Sequence, residues 1–151
     1  MTRNTYAVMF LAAAIGLAAS GCGGSDSKTA ATSSTAAASA TNAGQLPSLI
    51  PTPANTQTTK GPDSLPDNGI HLYFQVTGSP AEVMKAYKAA LEAKKWDVTN
   101  VVTSDGGATY TGTNGAAYNV VDGGGWQDKT YIDVCAWPTK PADPNCKRSD
   151  R

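Results

Sequence analysis

The chain is poor in the residues that most chemistry needs. Its 151 residues include one histidine, three cysteines and two phenylalanines. One histidine beside two cysteines free to pair does not make a zinc ligand set. It also leaves no second imidazole for acid–base work. The cysteines lack the Cys-X-X-Cys spacing of a reactive redox pair. Charge of one sign is missing too: 12 basic residues balance 12 acidic ones. A nucleic-acid binder would carry a basic patch, and none stands out, so no nucleic-acid partner is expected. No aromatic residue occurs between Phe10 and Tyr73. The one strongly apolar run, Tyr6 to Ala19, falls short of the ~20 residues that cross a bilayer.

What is present at the start is an address. Arg3 is the only charge before Asp26, the apolar run follows it, and the small residues Ser20-Gly21 lead to Cys22. A basic start, a short apolar core and a small-residue exit make a secretory signal over 1–21. Ala19-Ser20-Gly21-Cys22 resembles the lipobox of bacterial lipoproteins, whose cysteine is acylated and becomes the new N-terminus. The family's usual Leu three residues before the cysteine is replaced by Ala19, with Leu17 five before. The resemblance implies a lipid on Cys22 and a place on the extracytoplasmic face of the cell membrane. Two acyl chains suffice for stable anchoring where one does not. Parity agrees: with Cys22 acylated, Cys135 and Cys146 are left to form a disulfide, which an exported chain can keep.

Residues 22–68 read as a tether. Thr29 to Ala36 is typical of its Ser/Thr/Ala composition, and Pro47, Pro51, Pro53, Pro62 and Pro66 interrupt any helix. Such a segment buries too little apolar surface to offset its ordering entropy. Leu46 to Ile50 is the one stretch with the side chains to dock on a domain.

Residues 69–151 read as the folded domain. Ile70, Leu72, Phe74 and Val76 alternate with His71, Tyr73, Gln75 and Thr77, as in a half-buried strand. Ser79-Pro80-Ala81-Glu82 is a capping-box start for a helix reaching about Lys95. Val83, Tyr87, Ala90 and Leu91 share its apolar face, with Met84 at the edge, while its lysines are an ordinary solvated face. Strands follow at Trp96 to Val102, Ala108 to Thr113, Ala116 to Val121 and Thr130 to Trp137. Asn114-Gly115 fits a type I′ hairpin turn, and Asp122 to Asp128 a glycine-rich loop. The expected fold is a two-layer α+β domain in β-α-β-β-β-β order, with one helix on a mainly antiparallel sheet of about five strands. Leu72, Phe74, Val76, Val83, Tyr87, Leu91, Trp96, Val98, Val120, Ile132 and Val134 make its expected core.

Candidate sites are few. His71 reads as a residue of the outer sheet face, since nothing in the sequence supplies the nucleophile and orienting acid of a triad. Asp122, Asp128 and Asp133 match no calcium-loop spacing and stand beside turn-forming glycines. Gly123-Gly124-Gly125 precedes no helix that would complete a phosphate cradle. Tyr73, Trp126, Tyr131 and Trp137 fall on or beside the face away from the helix. They form either an exposed ligand or partner surface or a second core under the tether or tail.

The pattern from Phe74 through Tyr87, Leu91 and Trp96, with the hairpin and the last strand bearing Cys135, resembles small mycobacterial lipoproteins of unknown function. The resemblance covers most of the folded half and implies a cell-envelope setting. The expectation is a membrane-anchored lipoprotein with a non-enzymatic protein-interaction module, without catalytic residues, metal or cofactor. The alternatives are a glycan- or lipid-binding module using the aromatic face, and an enzyme centred on His71.

Overall fold

A computed structural model describes residues 41–148 except residue 105. The expected signal, Cys22 and the expected tether up to residue 40 lie outside the described residues. The described part is an α+β fold dominated by one antiparallel sheet of six strands. In chain order they are β1 Thr56–Leu65, β2 Gly69–Thr77, β3 Asp97–Ser104, β4 Gly107–Asn114, β5 Ala117–Trp126 and β6 Lys129–Trp137. Their order across the sheet is β1-β2-β6-β5-β4-β3. A one-turn helix α1, Leu46–Leu49, precedes β1, and the long helix α2, Pro80–Ala93, links β2 to β3. The chain leaves β2, crosses the sheet in α2 to the far edge, and returns as a meander until β6 pairs with β2.

The expected tether therefore ends earlier than residue 68, because β1 is a sixth strand. Its sequence gives little sign of this, being polar and exposed along almost its whole length. It is held through backbone pairing with β2, from Thr56↔Val76 to Leu65↔Gly69, with a register shift around Gly61-Pro62. Upstream, Leu46 is fully buried and Ile50 nearly so, in the main core. Two hydrogen bonds pin this segment to α2 and its exit: Tyr87 Oη donates to the Pro51 carbonyl at 3.0 Å and Trp96 Nε1 to the Leu49 carbonyl at 2.9 Å. Burying each of these aliphatic side chains contributes about 1.5–3 kcal/mol, which helps offset the ordering of the segment.

Helix α2 forms where expected, with Pro80 in its first turn. Ser79 Oγ meets Glu82 Oε2 at 3.0 Å instead of capping the backbone. Met84, Tyr87 and Leu91 are its buried residues, whereas Val83 is only partly covered, so Met84 is central and not peripheral. The helix ends in a Schellman turn: Trp96 N–H donates to the Leu91 carbonyl, Lys95 N–H donates to the Glu92 carbonyl, and Lys95 sits at φ 69°.

Both hairpins of the meander that involve β5 differ from expectation. Asn114 pairs with Ala117, so the turn is Gly115-Ala116, with positive φ at Gly115 alone, the type II′ pattern. The amide of Asn114 is used elsewhere, donating from Nδ2 to the Lys94 carbonyl at 2.9 Å. The expected glycine loop is strand up to Trp126, and the turn is Gln127-Asp128, both at positive φ as type I′ requires. The glycines are there for clearance under the helix. A Cβ on Gly123 would lie 2.1 Å from Met84 Sδ, and one on Gly125 would lie 2.4 Å from Pro80 Cγ.

The sheet has two cores. Leu72, Phe74, Val76, Tyr110, Val121, Ile132 and Val134 pack under α2. Tyr118, Val120, Cys135 and Trp137 form a smaller cluster on the opposite face with Leu65 and Cys146. Val120 thus belongs to the second core and Val121 to the first.

Candidate functional site

The aromatic residues do not form an open platform. Tyr73, Tyr131 and Trp137 are 5%, 7% and 3% exposed, while Trp126 is 50% exposed at the end of its hairpin. The end of β1 and the C-terminal tail cover the outer face. Trp137 Nε1 donates to the Pro66 carbonyl at 3.1 Å, and Cys146 and Leu65 pack on the small core. Tyr73 and Tyr131 stand 6.2 Å apart between centroids, with Lys60 Nζ 4.9 Å above the Tyr73 ring. Of the two arrangements expected for these four residues, Trp137 follows the second core, Tyr73 and Tyr131 are buried beside it, and Trp126 alone is exposed. The Cys135–Cys146 disulfide is present as expected and ties the tail to β6 with a Cα–Cα distance of 5.5 Å.

Beside the disulfide lies a polar cluster set by strand register. One cross-strand row runs Asp63, His71, Cys135, Val120, Thr111. The next runs Lys60, Tyr73, Asp133, Asp122, Thr109. His71 is consequently no simple surface residue. Its Nε2 lies 2.9 Å from Oδ1 of Asp133, which is 1% exposed, and its Nδ1 lies 4.0 Å from Oδ2 of the exposed Asp63. Opposed carboxylates on one rung repel, and the fold gives each a cationic or hydrogen-bonding neighbour. Asp122 receives both Arg148 Nε and Arg148 Nη2, the latter at 2.7 Å, and Asp133 faces His71. The hydrogen bond to Asp122 raises the Arg148 guanidinium further above its ordinary range, outweighing partial desolvation. Asp128 sits in the Gln127-Asp128 turn, past the last rung of the hairpin, so the three aspartates do not converge on a cation.

A cavity of about 400 Å³ opens over this cluster, bounded by Leu65, Asp67, His71, Cys135, Trp137 and Asp143. The Asp133–His71 pair was legible in part: an aspartate inside the apolar strand Tyr131 to Trp137 shares a face with Cys135. Its pairing with His71 depended on the β2–β6 register, which no local signal reports.

A second feature went unnoticed in the sequence. Among the described residues β3 is a free sheet edge, and its Val101 and Val102 are 44% and 55% exposed. Val101 forms one wall of an apolar groove of about 430 Å³ between α2 and the β3–β4 hairpin, floored by Met84, Ala108 and Tyr110. Lys85 and Lys88 stand at its rim. Among the described residues no helix is long and apolar enough to cross a membrane. No protein-family model, characterised protein or solved structure matches the chain.

Proposed function

We propose that the protein is an extracytoplasmic lipoprotein, anchored through lipid on Cys22, whose domain is a non-enzymatic module that receives an extended segment of another protein at the β3 edge. The observation that carries this reading is the contrast between the two sheet edges. β1 carries Lys60, Pro62, Asp63 and two register shifts, the devices by which natural sheets discourage edge pairing. β3 has one register shift, between Val98 and Asn100, but no proline or lysine, and from Val98 to Ser104 it has no charge. It offers unpaired backbone groups next to exposed Val101 and Val102 and an apolar groove. Strand addition at such an edge draws affinity from main-chain hydrogen bonds and specificity from pockets for alternate side chains. Lys85 at the rim favours a segment that pairs an acidic residue with its apolar one, Lys88 being paired with Glu92.

Co-isolation from detergent-solubilised membranes tests this. Val102→Lys is expected to lower recovery of the specific partner at least tenfold, and Thr58→Lys on the opposite edge to leave it unchanged. Equal recovery with both variants contradicts the reading. The burial of Tyr73, Tyr131 and Trp137 removes the platform on which a stacking glycan- or lipid-binding face rested.

A further inference from the structure

We propose that the Cys135–Cys146 pair, when reduced, forms with His71 a zinc site, so that disulfide and metal are alternative occupants of one place on the outer sheet face. The donor atoms of His71, Cys135 and Cys146 all lie within 4.8 Å of one another. Tetrahedral zinc, with bonds of about 2.0–2.3 Å, needs donors about 3.3–3.8 Å apart. The imidazole therefore has to approach by about 1 Å while the two sulfurs, no longer bonded, move apart, and sheet register supplies the rest: His71 and Cys135 are direct cross-strand partners.

The surroundings fit a ligating imidazole. A metal-bound histidine ordinarily gives its other N–H to a carboxylate, which fixes the ring and raises its basicity. The buried Asp133 carboxylate stands 2.9 Å from Nε2 in this role, leaving Nδ1 to the metal. The fourth ligand is a water or the exposed Asp63, whose Oδ2 is 4.0 Å from Nδ1 but which stands outside the three-donor cluster. Cys146 is half-buried, and the cavity of about 400 Å³ reaches both His71 and Cys135, giving a route of entry. Two soft sulfurs with an imidazole select zinc over calcium or magnesium, which take oxygen alone.

The chemistry balances. A dithiol reductant exchanges with the disulfide, delivers two electrons and two protons, and closes to its own cyclic disulfide. Zinc then displaces the two thiol protons from Cys135 and Cys146. Reoxidation by a disulfide donor reverses the first step and expels the metal.

The test is cobalt titration of the full chain carrying Cys22→Ser, so that only Cys135 and Cys146 offer thiols. The phosphine-reduced protein is expected to develop thiolate-to-cobalt charge-transfer absorption that saturates at one equivalent and is abolished by zinc, and the oxidised protein to show none. Asp133→Asn is expected to weaken zinc binding about 10–100-fold by releasing the imidazole. No such absorption in the reduced protein, or equal affinity in Asp133→Asn, overturns the proposal. Should the variant fail to fold, X-ray absorption on the zinc-loaded reduced protein decides: a shell of two sulfurs with imidazole scattering supports the site, and one lacking either overturns it.

Discussion

At the scale of single residues, glycine and tyrosine carry more of the fold than their local sequence suggests. Gly123 is the point of closest approach between α2 and the sheet, and a methyl there collides with Met84 Sδ. Gly123→Ala is expected to cost about 1–3 kcal/mol by overpacking. A double-mutant cycle with Met84→Ala should show clear coupling, read as a partial recovery of the urea midpoint. Tyr87 is buried with its hydroxyl on the Pro51 carbonyl, and burial pushes its pKa far above the ordinary 10. Burial raises Tyr110 as well. Above pH 10 the unfolded chain loses the Tyr87 proton while the folded one keeps it, so stability falls as pH rises. The slope from Tyr87 is about 1.4 kcal/mol per pH unit. Tyr87→Phe should flatten the alkaline limb of a stability–pH curve by one proton's worth. An unchanged slope would mean that the phenol is not held neutral by the fold.

At the scale of elements, legibility followed side-chain burial. β2, α2 and β6 bury alternating or helical apolar faces, and their sequences declare it. β1 does not, because it is held by its backbone on β2 while its side chains remain in solvent. Glycine lowers strand propensity, so the sequence of Asp122 to Trp126 signals a loop. There it serves the helix packed above, a tertiary cause that no window of sequence contains. The candidate site divides the same way. Cys135 and Cys146 were paired by counting, whereas the Asp133–His71 contact and the β3 groove needed the sheet order. Docking of α1 is the element most at odds with a tether, and it is testable. Leu46→Ala should destabilise the domain by about 2–5 kcal/mol, measured by urea unfolding. A change within 0.5 kcal/mol would show that the segment merely rests on the surface.

At the scale of the whole molecule, the disulfide ties the C-terminal tail to the sheet. The disulfide closes a short loop from β6 to the tail, and in the chain-entropy model its removal costs about 3 kcal/mol. Cys146→Ser should lower the unfolding midpoint accordingly. The anchor is a separate matter. Cys22→Ser is expected to move the protein from the membrane fraction to the soluble extracytoplasmic fraction while its domain stays folded. Retention in the membrane fraction would count against the lipid. The two changes should act independently, since one alters the stability of the fold and the other its address.

The central claim is that a partner pairs with the free β3 edge. Site-specific photo-crosslinking in intact cells tests it most directly, with the reactive side chain at position 102 and a control at position 58 on β1. The account predicts one discrete adduct between position 102 and a different protein, absent from position 58 and lost when Val101 is also replaced by Lys. Equal labelling from both edges, or an adduct only with a second copy of this chain, would contradict it.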